Sequence, residues 1–107
     1  MALTIEQRVA NGIQYLKDTH KGGMLWLELI DIEQLDMSSS TWCIIGQVFG
    51  EYWRWSTTAR VTAVEQRRLG FEANYFEDEY GDGRLDYEDY AALQAEWVRV
   101  LTELKGS

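Results

Sequence analysis

The residues best suited to bind a ligand lie between positions 78 and 89. Carboxylates recur in this twelve-residue stretch at its first, fifth, ninth and twelfth positions, as Asp78, Asp82, Asp86 and Asp89. Gly83 stands at the sixth position, where a calcium loop turns sharply, and Arg84 follows with a main-chain carbonyl oxygen. Because Ca²⁺ takes six to eight oxygen ligands, this spacing predicts a calcium site.

The same twelve residues resemble the calcium loop of EF-hand and dockerin modules. Leu85 occupies the apolar eighth position, and a predicted helix follows the loop. Two positions depart from the EF-hand pattern: Tyr80 replaces the acid or amide at position three, and Asp89 replaces the closing glutamate, as it does in dockerin loops. The alternative is a solvated acidic turn in which Asp82 and Gly83 make the turn and Asp86 caps the next helix.

Negative charge is concentrated in the same part of the chain. The net charge is −8, and residues 72–89 hold eight acidic residues against one cation, Arg84. The rest of the chain is nearly neutral. With no basic surplus to displace counterions, direct binding to nucleic acid is not expected. A partner with a basic surface, or a divalent cation, is favoured instead.

Aromatic residues are interleaved with these acids. Partly exposed tyrosine and tryptophan side chains commonly anchor protein interfaces. We therefore predict a contact surface made of Tyr75, Phe76, Glu77, Glu79, Tyr80 and Tyr87, with Trp55 at its margin. Trp53 and Trp55 are two positions apart, so a helix cannot bury both on one face, and one of them is expected to face solvent or a partner.

No pattern in the chain indicates catalysis. Cys43 is the only cysteine and His20 the only histidine, and they lie far apart in sequence. A Cys–His nucleophile is formally possible, but a buried structural cysteine is the favoured interpretation. We therefore expect no enzyme. A single cysteine also fits a reducing compartment, and the chain shows neither a secretory signal nor an apolar run of membrane-spanning length.

Periodic apolar residues predict a single all-helical domain over residues 1–107, with about four helices. Thr4 and Gln7 can cap a first helix, in which Gly12 marks a close approach of another element. Ser38–Thr41 is a cap signal before a central helix near residues 41–53. Residues 24–36 are expected to be irregular or briefly helical, and residues 72–89 to form an acidic loop.

Two further helices complete the predicted domain. Ser56–Thr58 can cap a third helix, with Gly70 as its left-handed stop and Phe71 folding back onto it. The last helix starts near Asp86 or Glu88. Its apolar stripe consists of Tyr90, Leu93, Trp97, Leu101 and Leu104.

A series of short motifs runs along most of the chain: Gly12 to Leu16, Trp26, Ile30-Asp31, Leu35-Asp36, the Cys-hydrophobic-Gly-Gln-hydrophobic-Phe-Gly-X-Tyr core from Cys43 to Tyr52, Gly70-Phe71, and Tyr90 to Trp97. In this order the motifs resemble those of a family of small, uncharacterised proteins encoded by tailed phages of actinobacteria. Ile45 stands where leucine is commoner, and residues 72–89 are longer and more acidic than the usual connection. The resemblance implies a phage origin and the host cytoplasm, but no activity.

These observations favour a phage accessory protein that binds a host or phage protein. Two alternatives remain open: a calcium-binding module, and an acidic DNA mimic that occupies a basic cleft of a nucleic-acid-binding protein. The carboxylates of a duplex mimic would be spread over a surface, whereas those of residues 72–89 lie on one short segment.

Overall fold

A computed structural model describes residues 3–19, 25–72, 75–77, 83–85 and 87–106. Within these residues the helices are α1 (Ile5–Thr19), α2 (Leu25–Glu28), a 3₁₀-helix (Ile32–Gln34), α3 (Ile44–Phe49), α4 (Tyr52–Ala59), α5 (Ala63–Arg68) and α6 (Tyr87–Gly106), and the strands are β1 (Tyr75–Glu77) and β2 (Gly83–Leu85). The small all-helical fold is confirmed, although the helices are shorter and more numerous than the four expected. None of the described helices is both long enough and apolar enough to cross a membrane.

Helix α1 begins with the predicted capping box. The main-chain N–H of Thr4 donates to Gln7 Oε1 at 2.9 Å, and the Gln7 N–H donates to Thr4 Oγ1 at 3.1 Å. Gly12 lies where α1 meets two other elements, because a Cβ there would overlap the Leu69 carbonyl oxygen and the Trp97 ring. The expected close approach at Gly12 is therefore confirmed.

The helical region predicted near residues 41–53 consists of two helices. Gly50 adopts a φ of 101°, which ends α3, and the Glu51 carboxylate accepts N–H bonds from Trp53 and Arg54 at the start of α4. The cap of α3 is Cys43 and not the Ser38–Thr41 run, since the Cys43 sulfur accepts from the Gly46 N–H at 3.3 Å.

Helix α5 also begins later than predicted. Ser56–Thr58 lie inside α4, and Thr62 is the residue that caps α5. The end of α5 matches the prediction: Gly70 is left-handed, and the Phe71 N–H returns to the Gln66 carbonyl at 3.0 Å. This Schellman arrangement turns Phe71 into the core.

The structure corrects the acidic loop expected at residues 72–89. β1 and β2 form an antiparallel pair in which Tyr75 faces Leu85 and Glu77 faces Gly83. Three-residue strands of this kind were not indicated by the sequence, because they are too short for a periodic apolar pattern. The described part of the segment therefore contains a short antiparallel strand pair and the first residues of α6.

Helix α6 packs on α1 and carries the centre of the core. Leu93, Trp97 and Leu101 are completely buried, as the stripe predicted. The Trp97 ring stacks on Phe71 at a centroid distance of 6.0 Å, and its indole N–H donates to the Gly70 carbonyl at 2.8 Å. This contact fixes the chain that leaves α5, where the candidate site begins.

Candidate functional site

A cleft of about 180 Å³ lies where the turn after residue 36, the start of α4, the end of the α5 turn and the start of α6 meet. Its lining residues are Met37, Ser38, Ser39, Ser40, Cys43, Tyr52, Trp53, Phe71, Glu72 and Tyr90. The set combines one carboxylate, hydroxyl groups and aromatic rings, and it contains no cationic residue. The cleft can therefore offer hydrogen-bond acceptors and negative charge to a ligand.

The serine wall of the cleft is built by local hydrogen bonds. Asp36 Oδ1 accepts from both the N–H and the hydroxyl of Ser38, at 3.0 and 2.6 Å. Ser39 Oγ accepts the N–H groups of Thr41 and Trp42 at 3.2 and 3.1 Å. Asx and serine turns of this type hold a loop in one shape without secondary structure. The serines thus form a preorganised turn in place of the predicted helix cap.

Glu72 supplies the carboxylate. Only 8% of the residue is exposed, because it directly follows the Gly70–Phe71 turn into the core. Burial raises the pKa of the Glu72 carboxyl above its usual value of 4.5, while the positive charge of Arg67 acts in the opposite direction. The carboxylate is therefore held in a partly desolvated position where negative charge is unfavourable unless a cation approaches.

Trp53 forms the exposed rim. It is 64% exposed, whereas Trp55 is only 6% exposed. The expectation that one of these two residues faces solvent is confirmed. The Trp53 ring packs edge-on against Tyr52, with centroids 5.5 Å apart. Trp55, which was placed at the margin of the contact surface, is instead a core residue whose indole N–H donates to Tyr15 Oη at 3.2 Å.

Cys43 lies in the floor of the cleft and is buried. Its pKa is raised from 9.0 to about 11 by burial, with main-chain N–H groups acting weakly in the opposite direction. A nucleophilic cysteine requires a thiolate, and this group remains a thiol at neutral pH. Cys43 acts here as the cap of α3, which agrees with the structural interpretation of this residue.

Of the predicted calcium ligands, only Asp89 has a described side chain. Both of its carboxylate oxygens accept from Arg8 Nη1, at 2.9 and 3.0 Å. The main chain of Arg84 lies in β2, opposite Phe76. Asp78, Asp82 and Asp86 lie outside the described residues, and among the residues described no cluster of three or more metal-binding side chains occurs. The calcium site stays a prediction.

For the predicted contact residues of the acidic segment, the structure describes at most the main chain. Tyr75, Phe76 and Glu77 form β1, and Tyr87 is the first residue of α6. Glu79 and Tyr80 lie outside the described residues. Glu72, where this segment begins, lines the cleft together with Trp53. The structure thus brings one end of the acidic segment to the exposed tryptophan of α4.

The sequence patterns do not assign Glu72, Ser38 or Ser40 to a binding site. Glu72 was counted only as one acid among eight, although its position after the Gly70–Phe71 stop was a signal that it would be carried into the core. Ser-Ser-Ser-Thr before an apolar run is typical of a helix start, so the pattern predicts a cap for these serines.

A second, apolar groove of about 650 Å³ lies between α1 and α4. It is lined by Tyr15, Thr19, Phe49, Arg54, Trp55, Thr58, Ala59 and Val61. Phe49 is only partly buried, and it lines this groove while packing against the core. The groove carries a single charged residue, Arg54, and offers no group that selects a ligand.

Comparison with known proteins gives no match to a family model, to a curated protein or to a solved structure. The fold is that of a small all-helical domain.

Proposed function

We propose that this chain is a small acidic accessory protein that acts by binding another protein with a basic surface. The observation that carries the proposal is that Trp53 and Glu72 line one cleft. Glu72 is the first residue of the acidic segment, and Trp53 lies in α4. The cleft therefore offers both an exposed aromatic anchor and a carboxylate.

The two features contribute differently to binding. The charge of residues 72–89 attracts a basic partner and raises the association rate, but exposed carboxylates add little affinity each. Affinity depends on a few large anchors that become desolvated in the complex. Trp53, at 64% exposure, has the most surface to bury among the described aromatic residues. It takes the place that the sequence had assigned to Trp55.

The resemblance to actinobacteriophage proteins supplies the context of the proposal. On this basis the protein works in the cytoplasm of the infected host, and its target is a host or phage protein. The acidic surface favours a target that itself carries a basic region. A nucleic-acid-binding protein is one such target, which is why the DNA-mimic alternative has to be separated by experiment.

The proposal is tested by affinity capture from infected host cells, with purified components used afterwards to measure binding. Trp53→Ala should reduce capture of the partner strongly, because the ring is lost from the rim of the cleft. Trp42→Ala is the matched control, since Trp42 is 46% exposed but does not line the cleft. Equal capture by wild type and both variants would overturn the proposal.

Charge reversal tests the steering role of the acidic segment. Changing Glu77, Asp78 and Glu79 to lysine should slow association with the purified partner and flatten its dependence on salt. Tyr80→Ala should mainly speed dissociation. If the partner binds DNA and DNA competes with this chain for it, the DNA-mimic alternative gains support.

A further inference from the structure

We infer that the cleft beside Glu72 receives an arginine side chain of the partner, with the guanidinium against the Glu72 carboxylate and the Trp53 ring. The inference rests on the proposed function and deepens it, because it names the chemical group that the acidic face recognises. It depends on the geometry of the cleft and not on the resemblance to phage proteins.

The size of the cleft suits one planar group. A cavity of roughly 150 Å³ is enough to hold a benzene molecule, and the share of one water in the liquid is about 30 Å³. The cleft of about 180 Å³ therefore holds a guanidinium and the end of its alkyl stem, but not a second large side chain. The aromatic and aliphatic walls from Met37, Tyr52 and Phe71 suit that stem.

Charge in the cleft calls for a cation. Only 8% of the Glu72 residue is exposed, and the other lining residues carry no positive charge. A buried carboxylate is unfavourable unless it is paired and hydrogen-bonded. Arg67 offsets part of its charge from outside the lining, but no salt bridge between Glu72 and a described residue is formed. A guanidinium entering the cleft would complete this pairing.

The remaining groups favour arginine over lysine. A guanidinium carries five N–H donors in a plane, and it can bind a carboxylate through two parallel bonds while other donors reach hydroxyl groups. Ser38 and Ser40 also line the cleft, and the Ser38 hydroxyl, which donates to Asp36 Oδ1, keeps lone pairs that can accept a hydrogen bond. The exposed Trp53 ring on the rim supplies a face for a cation–π contact. A lysine ammonium has a single point of charge and three donors, so it matches this set less well.

The inference is tested with N-acetyl-arginine amide as the probe and the full chain labelled with ¹⁵N. Titration should produce saturable shifts at the Trp53 indole N–H and at the main-chain amides of Ser38, Ser39 and Ser40. N-acetyl-lysine amide should bind several-fold more weakly. N-acetyl-citrulline amide, which has nearly the shape of arginine without its charge, should not saturate these sites.

Variants assign the response to the cleft. Glu72→Gln should weaken the arginine probe about tenfold or more, since the bond to a charged acceptor is lost. Trp53→Ala should lower the affinity for the arginine probe less than Glu72→Gln does. The surface control Glu33→Gln should leave that affinity unchanged. Circular dichroism of each variant checks the fold, and Glu72→Asp provides a second variant that keeps the charge but shortens its reach.

The outcomes separate this inference from the proposed function. If partner capture depends on Trp53 but the arginine probe binds wild type and Glu72→Gln equally, the proposed function stands and the arginine inference is overturned. If the probe binds as expected while capture is independent of Trp53, the cleft recognises arginine and the proposed function fails. Equal shifts with the arginine and lysine probes show only general charge attraction and overturn the inference.

Discussion

Arg8 Nη1 donates to both carboxylate oxygens of Asp89, at 2.9 and 3.0 Å, and so joins the first helix to the last. The same guanidinium donates to the carbonyls of Arg67 and Glu72 at 2.7 Å each. Arg8 is buried, and its donors are directed to the end of α5, the start of the acidic segment and α6. This one side chain therefore holds in place the main chain that carries Glu72 into the cleft.

Removing Arg8 should be strongly destabilising. Arg8→Met removes the buried cation that pairs with Asp89 and the donor to the Glu72 carbonyl, so we expect a loss of about 3–5 kcal/mol in the free energy of unfolding. Urea denaturation measures it. Arg99→Met is the control, because Arg99 forms exposed pairs with Glu96 and Glu103 on α6, and it should have little effect. Equal losses for the two variants would contradict the structural role of Arg8.

The calcium hypothesis has a specific consequence at Asp89. If Asp78, Asp82, Asp86 and Asp89 ligate calcium, millimolar calcium should raise the melting temperature by mass action, and Asp82→Ala should remove that rise. A calcium ion bound to Asp89 would compete with Arg8 for the same carboxylate oxygens. Magnesium serves as the control cation, because its strict octahedral geometry suits such a loop poorly. Identical melting curves in calcium and in chelator would leave the segment as a charged hairpin.

Cys43 should make the protein sensitive to alkaline pH. The folded state holds the thiol proton more tightly than the unfolded chain, since burial raises the pKa from 9.0 to about 11. This stabilisation is complete below pH 9 and is lost as the pH rises toward 11, with a total of about 2–3 kcal/mol. Cys43→Ser cannot titrate in this range and keeps an acceptor for the Gly46 N–H. The difference in unfolding free energy between wild type and Cys43→Ser should therefore change between pH 8 and pH 11.

Gly12 should not tolerate a side chain. Alanine is favoured over glycine in a helix by about 0.5–1 kcal/mol, but here the added Cβ would overlap the main-chain oxygen of Leu69. We expect Gly12→Ala to lower the free energy of unfolding by about 1–3 kcal/mol through overpacking. Gly106→Ala, at the open end of α6, is the matched control and should be nearly neutral. A stabilising Gly12→Ala would show that α1 and α5 lie further apart than described.

The features that the sequence predicted correctly are local ones. The capping box at Thr4, the Gly70–Phe71 stop and the α6 stripe each depend on residues within a few positions of one another. The break at Gly50 was missed because an apolar run on both sides reads as one continuous helix. The cleft was missed for a different reason: Ser38, Trp53, Glu72 and Tyr90 come from separate parts of the chain, and only the packing of the helices brings them together.

The last prediction concerns Glu72. A residue that is retained for binding is expected to lower the free energy of unfolding. Burial raises its carboxyl pKa, so the folded state favours the protonated form. The bound proton contributes fully to the free energy of unfolding below pH 4.5, and this contribution is lost as the pH rises through the raised pKa. Cys43, Tyr52 and Tyr90 are the other titratable residues that line the cleft, and Arg67 lies close enough to act on Glu72.

Glu72→Gln removes this titration while keeping the size of the side chain. The variant should therefore melt at a higher temperature than wild type at pH 7, and the gap should close as the pH falls toward 4. Glu33→Gln, on an exposed face of the 3₁₀-helix, should melt like wild type at both pH values. A Glu72→Gln variant that is less stable at pH 7 would mean that the carboxylate is held by the fold itself. In that case Glu72 would not need a cation from a partner.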